Sequence, residues 1–358
     1  MPVSPDHGAR LAATSVDVVT AAELEILRRI SRALSRGADA PAWARVKLAE
    51  LQMLRARWAR DLAAMEAGLV AEAGSAVRVA YQDGQALAVG DLDQSGARPN
   101  LPPAQLAAVQ TIVADLNAGL AGVATRALRS VTDAYQETVA VASSTVLLGA
   151  QTRLQAAQGA LDRLLGQGID GFRDRAGRNW RLESYVEMAV RTSAGQAAIA
   201  GHLDVLAASG EHLVQIIPGP RACPICDGWA GKVVSLSPVT AAISGGERVE
   251  VFGTMEQARQ AGVFHPNCRC SVGIYIPGIT ELDPARPDPA GYEAVQEQRR
   301  LERGVRDWKR REALALTPEA ARQAKAKTRE WQARLRQHVA SDPELRRKPN
   351  RERINTAL

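Results

Sequence analysis

The sequence predicts a mainly α-helical protein with one small, metal-stapled α+β module, long N-terminal helices before it and basic helices after it. Three observations carry that expectation. Apolar residues recur at steps of three or four through most of the first two hundred positions and again near the C-terminus, which is the spacing of one helix face. Short β-prone runs bounded by Gly and Pro are found only near 214–276, so a sheet is expected there alone. All four cysteines lie between Cys223 and Cys270 as two close pairs.

The 358 residues suffice for two or three compact units. Aromatic residues are only 4% of the chain and much of its apolar content is alanine, which suits thin helix contacts better than one large core. No run approaches the roughly 18 consecutive apolar residues of a membrane span. The first ten residues have neither the basic nor the apolar region of a secretory signal. A cytosolic product without a membrane partner is therefore expected. The net charge of +6 belongs to the tail, since residues 281–358 hold 19 Lys plus Arg against 13 Asp plus Glu and the rest of the chain balances.

In chain order, Thr20-Ala21-Ala22-Glu23 has the form of a capping box, and Leu24, Leu27, Ile30 and Leu34 follow as a helix up to Gly37. A second helix is expected from about Pro41, with Val46, Leu54, Trp58, Leu62, Met65 and Leu69 on its apolar stripe. The Gly-, Asp- and Ser-rich stretch 81–100 reads as a linker. After Pro102 and Pro103 a heptad-like seam runs through Leu106, Val109, Val113, Leu116, Leu120 and Val123, then less cleanly through Val131, Tyr135, Leu147, Leu154 and Leu161 to the glycines 166, 168 and 171. Such a seam serves either a coiled-coil arm that self-associates or docks on other subunits, or antiparallel packing within the chain. Residues 173–180 read as a polar turn, and a helix is expected from about Leu182 to Ala208. Asp283 to Pro289 is a proline-rich connector, followed by one helix carrying Leu301, Val305 and Trp308 and another starting at the cap Thr317-Pro318 and running past Trp331 and Leu335. The expected division is a helical arm over 1–170, a core with the Cys/His module over 171–280, and a linker with a basic tail over 281–358.

The strongest local signal is Cys223-Pro224-Ile225-Cys226-Asp227-Gly228, answered by His265-Pro266-Asn267-Cys268-Arg269-Cys270. A Cys-x-x-Cys turn aims two sulfurs at one centre while backbone amides face them, the knuckle of structural zinc sites. A closed zinc site takes four ligands and five donors are present. Cys223, Cys226, His265 and Cys268 are the favoured set, because His-x-x-Cys repeats the two-residue gap; Cys270 is the alternate, able to replace His265. Buried thiols with a surface histidine, or two disulfides, are the bland alternatives. A catalytic zinc needs an open position and a nearby base, yet no His-Glu-x-x-His motif is present and Asp227 is the one acid beside a proposed ligand. Neither His202 nor His212 has an acid at ligand spacing. No catalytic residue is assigned and no enzyme is expected; a zinc-dependent nuclease or hydrolase is the remote alternative. In the basic tail, Arg310, Arg311, Lys325, Lys327, Arg346, Arg347 and Lys348 are candidate phosphate contacts, with Trp308 or Trp331 as stacking groups. Interleaved Glu302, Asp307, Glu312 and Glu330 offer them partners along the helices instead.

These residues, together with the Asp174 to Arg178 turn, Tyr185 to Met188, Arg191-Thr192, Gly231-Lys232-Val233-Val234-Ser235 and Tyr275 to Gly278, occur in an order that resembles the phage minor capsid protein 2 family, related in role to head-morphogenesis proteins of the Mu F type. The likeness covers about half the chain and is sharpest from Ile217 to Gly278. It implies a minor head component of a tailed phage or prophage. Such a protein is made in the host cytoplasm, present in few copies, associated with the portal, the major capsid protein or the capsid interior, and linked to packaging or ejection of DNA. It implies no enzymatic activity. Members often have His where this chain has Cys270, which keeps Cys270 a rival of His265.

Overall fold

The computed structural model describes residues 7–354 apart from 38–39, 41, 103–105, 148–151, 168–169, 174–178, 220, 222, 239–240, 245–246 and 283–287. The elements run α1 (His7–Ser35), α2 (Trp43–Ser95), α3 (Leu106–Leu120), α4 (Val123–Leu147), α5 (Arg153–Gln167), β1 (Asp170–Arg173), β2 (Asn179–Arg181), α6 (Leu182–Ala208), β3 (Leu213–Ile217), α7 (Pro224–Asp227), β4 (Val233–Ser235), β5 (Ala241–Ser244), β6 (Glu247–Glu250), β7 (Gly253–Thr254), α8 (Met255–Gln260), β8 (Ser271–Ile274), α9 (Pro289–Leu314) and α10 (Pro318–Ala340). Helices dominate. The chain forms two compact units, each drawn from three stretches: 1–15, 70–120 and 186–293 in one, 16–69, 121–185 and 294–358 in the other.

Two expectations for the N-terminal helices are corrected. The first helix starts at His7, thirteen residues before the supposed cap. Ala12, Ser15 and Val19 already extend its buried face, and Thr20 lies inside the helix, donating its hydroxyl to the Val16 carbonyl at 2.8 Å. The stretch 81–95 is the end of α2, not a linker. Its glycines serve contact: a Cβ on Gly84 would lie 2.0 Å from the Ala198 carbonyl oxygen, and one on Gly201 would lie 2.1 Å from that of Tyr81, so α2 and α6 touch backbone to backbone. The true stop is Gly96 at φ +75, where Ala97 N–H returns to the Leu92 carbonyl at 3.0 Å. Pro41, Pro103 and the Asp174 to Arg178 turn lie outside the described residues.

In the second unit, Leu24, Leu27, Ile30 and Leu34 of α1 and Trp58, Leu62, Met65 and Leu69 of α2 are all buried, as their spacing predicts; Val46, placed on the same stripe, is exposed. The Trp58 indole meets the Tyr135 ring of α4 edge-on at 5.8 Å, and α4 packs against α5, so the α4 part of the seam is covered within the chain. Glu66 caps α4 from α2, accepting from Gly122 N–H at 3.0 Å and Ala124 N–H at 2.8 Å. Residues Ala107–Ala142 qualify as a membrane span by length and composition, which differs from the sequence reading. The turn at Ala121 and Gly122, with Gly122 at φ +73, divides them between α3 and α4. Thr317 caps α10 as predicted, accepting from Ala320 N–H at 3.2 Å, and Leu335 packs with Leu301 and Val305 of α9.

The sheet expected near 214–276 has the order β7-β4-β3-β8: β3 pairs antiparallel with β4 and β8, and β4 pairs parallel with β7. Two further antiparallel pairs, β1–β2 and β5–β6, form two-stranded sheets of their own. The first corrects the expectation that strands occur only near 214–276. Its strands, four and three residues long, are too short to display an alternating pattern.

Candidate metal centre

The sheet brings two sequence-distant turns to one end. β3 ends at Ile217, and the chain continues through the Cys223–Cys226 turn into β4, its return fixed by Gly231 N–H to the Ile216 carbonyl at 2.7 Å and Ile216 N–H to the Lys232 carbonyl at 3.0 Å. On the opposite edge of β3, Ile217 is opposite Ser271, the residue after Cys270. The first turn therefore grows out of one side of β3 and the second turn runs into the strand on its other side. Close approach also needs Gly219, where a Cβ would lie 2.4 Å from the Arg269 carbonyl oxygen.

Each half is a short turn that points its donors inward. Cys226 N–H bonds the Cys223 carbonyl at 3.1 Å, and Cys268 N–H bonds that of His265 at 2.8 Å. In the second turn, Pro266 occupies the second position and Asn267, at φ +72, the third, the signature of a type II turn. Cys223 Sγ is 2.9 Å from His265 Nε2, and Cys226 Sγ is 3.3 Å from Cys268 Sγ. Cys223, Cys226 and His265 form one group of donors within 4.8 Å of one another, and Cys226, Cys268 and Cys270 form another. Cys226 belongs to both and is fully buried. The structure thus brings the five predicted donors into two triads that share Cys226, with the cysteines as free thiols.

The imidazole turns one nitrogen toward Cys223 and the other toward the backbone. His265 Nδ1 lies 2.7 Å from the Pro266 carbonyl, which can only accept, so the proton sits on Nδ1 and Nε2 faces the sulfurs. The Cys270 N–H points at Cys268 Sγ at 3.4 Å, an amide-to-sulfur contact that favours a thiolate there. Hydrogen bonds from Cys226 and Cys270 hold the Cys268 thiol down at about 2, and the bond to Cys268 pushes Cys226 up. The Cys226 contact pulls Cys270 down, but Cys268 and burial raise it to about 12. Burial alone would raise Cys223 and lower His265; their mutual hydrogen bond reverses both. The cluster shares a few protons among many donors, and a divalent cation can take their place. Among the described residues neither donor group contains a carboxylate or a second histidine.

The other residues singled out in the sequence sit elsewhere. His202 is fully buried in α6 with Nε2 3.1 Å from Asp91 of α2, a partner 111 positions away and invisible to local spacing. Burial pushes its pKa down to about 4. Arg310 is buried and paired with Glu183 and, at 3.4 Å, with Glu23. Arg311 pairs with Asp162 at 3.2 Å and stacks on Trp308; Lys327 pairs with Glu330 and Arg347 with Glu352. Arg346 turns to the carbonyls of Pro343 and Leu345, Lys325 is exposed and Lys348 half-buried. Trp331 lies under Arg300 and Arg334.

A model of the family described as Phage minor capsid protein 2 matches residues 3–340. No curated protein and no solved structure matches the chain. Since the matched stretch runs from before α1 to the last residue of α10 and includes both Cys/His turns, the chain belongs to the phage minor capsid protein 2 family.

Proposed function

We propose that this protein is a minor component of a tailed-phage head in which one zinc ion closes the Cys/His turns, leaving a rigid, non-hydrolytic module that contacts the portal or major capsid protein from inside the capsid. Family membership makes it a phage structural protein and a virion component. The observation that carries the zinc reading is the meeting at Cys226 of two donor triads, Cys223–Cys226–His265 and Cys226–Cys268–Cys270, from turns 42 positions apart; Cys223, Cys226, His265 and Cys268 are the proposed ligands, with Cys270 as alternate. Sulfur and imidazole donors suit zinc, and hard cations such as magnesium or calcium prefer oxygen. When bound, zinc would supply cross-linking without redox chemistry, and four protein ligands would leave no position for an attacking water.

A genome-binding role draws less support from the tail. Of its seven candidate phosphate contacts, Arg310, Arg311, Lys327 and Arg347 already pair with carboxylates. The test is retention. Phage heads purified on a density gradient and then emptied of DNA are expected to keep the protein. Loss in step with the DNA would transfer the function to the genome, and absence from heads would end the proposal.

A further inference from the structure

The pair Arg191-Thr192 stands out in the sequence and takes no part in the donor groups. Both residues are on α6, 76 and 75 positions before Asn267 of the second turn, and both reach it. The Arg191 guanidinium donates to the Asn267 side-chain carbonyl. The Thr192 hydroxyl accepts from Asn267 N–H at 3.2 Å. One turn further along, Gln196 Nε2 donates to the Phe264 carbonyl at 3.5 Å. Asn267 and Phe264 are also the two non-glycine residues of this loop with positive φ, at +72° and +63°. A left-handed conformation costs an ordinary side chain such as Phe264 about 1–2 kcal/mol, whereas Asn adopts it more readily, so the Gln196 contact holds a strained residue and the Arg191 and Thr192 contacts fix the orientation of Asn267. Arg191 itself is buried and further fixed by Glu187 at 3.6 Å.

We propose that Arg191 and Thr192 are positioning residues of the metal centre: by gripping Asn267 they preset the type II turn, so that His265 and Cys268 already face Cys223 and Cys226 before an ion arrives. The inference rests on the zinc reading for its ligand but not for its geometry. Partners outside the ligand shell typically tune metal affinity by about 10–100-fold.

The full-length protein is compared with Asn267→Gly, which keeps the left-handed backbone and loses the acceptor, with Asn267→Asp, which keeps both, and with Arg191→Met. Zinc affinity is read by competition with a chromophoric chelator, and circular dichroism checks the fold. Asn267→Gly and Arg191→Met are each expected to weaken zinc by about tenfold or more, Asn267→Asp to stay near wild type, and the double variant to be no worse than either single change because both remove one shared contact. Wild-type affinity in Asn267→Gly, or losses that multiply in the double variant, overturns the proposal. If the wild-type protein takes up no zinc, the zinc reading fails by itself. Amide exchange over residues 264–270 then decides the clasp: faster exchange in Asn267→Gly and Arg191→Met upholds it, and unchanged exchange overturns it.

Discussion

Cys226 Sγ lies 3.3 Å from Cys268 Sγ although forty-two residues separate them in the chain. That is well beyond the roughly 2.05 Å of a disulfide, and two ionised thiolates at such a distance would repel each other. A shared proton or a shared cation resolves the conflict. Because Cys226 is common to both donor groups, it is the residue through which either choice of fourth ligand must pass.

Chelation is expected to destabilise the protein through the unit that contains the module. A ligand present at about a thousand times its dissociation constant contributes about 4 kcal/mol, and each kcal/mol moves the midpoint of a domain of 150–250 residues by about 2–4 °C. Removing zinc with a strong chelator should therefore lower one thermal transition by about 10 °C in calorimetry, with recovery on adding zinc back. A transition indifferent to the chelator contradicts this.

Replacing Gly84 by Ala gives a prediction of sign. In an exposed helix the change stabilises by about 1 kcal/mol. Here the added methyl would meet the Ala198 carbonyl oxygen at 2.0 Å, where only backbone movement makes room. Overpacking of this kind costs about 1–3 kcal/mol, so a lower urea midpoint is expected. A higher midpoint would mean that α2 and α6 do not approach as closely as described.

Arg310 is an internal anchor, flanked by Glu183 and Glu23 with almost no exposure. Breaking a buried pair strands the partner charges, at a cost of about 3–5 kcal/mol. Arg310→Met is thus expected to lower stability strongly in urea titration while leaving any affinity for duplex DNA, and its salt dependence, unchanged. Weakened DNA binding without loss of stability would show the guanidinium to be available to phosphate.

The same triad sets a pH dependence. Burial alone would raise Glu183, but the guanidiniums of Arg310 and Arg306 outweigh it and hold the carboxyl at about 2. Its contribution is therefore complete above the ordinary value of 4.5 and is lost as pH falls from there to about 2. Glu23 runs the other way. Burial raises it, against the pull of Arg310 and with repulsion from Glu183, so the folded state keeps a proton that the unfolded chain releases above the ordinary value of 4.5, and stability falls as pH rises from there through the raised folded value. Glu183→Gln should flatten the acid limb below pH 4.5, and Glu23→Gln should flatten the limb above it. An unchanged profile in both variants contradicts the assigned pairing.

Much of this was legible in the sequence, for reasons that differ by element. Leu24 to Leu34 and Trp58 to Leu69 are read correctly because burial on one helix face writes itself as a three-four spacing. The α10 cap at Thr317-Pro318 is equally local. The stretch 81–95 misleads because glycine has two uses, and its role at Gly84 as a point of helix contact needs knowledge of Ala198, more than a hundred residues away. In the module, spacing names the five candidate donors, but the grip of Arg191 and Thr192 on Asn267 is a tertiary contact; its local trace is an Asn following a Pro in a tight turn, which marks a left-handed position. The Asp91–His202 and Glu23–Arg310 pairs leave no local trace, since residues 111 and 287 positions apart meet only after folding.

The measurement closest to the core of this account is the metal content of purified protein, by elemental analysis, for wild type and for Cys226→Ser and Cys270→Ser. One zinc per chain is expected in wild type, absent in Cys226→Ser and retained in Cys270→Ser. Folded wild-type protein without bound metal, or a Cys226→Ser variant that keeps its zinc, would contradict a centre built on the turns that meet at Cys226.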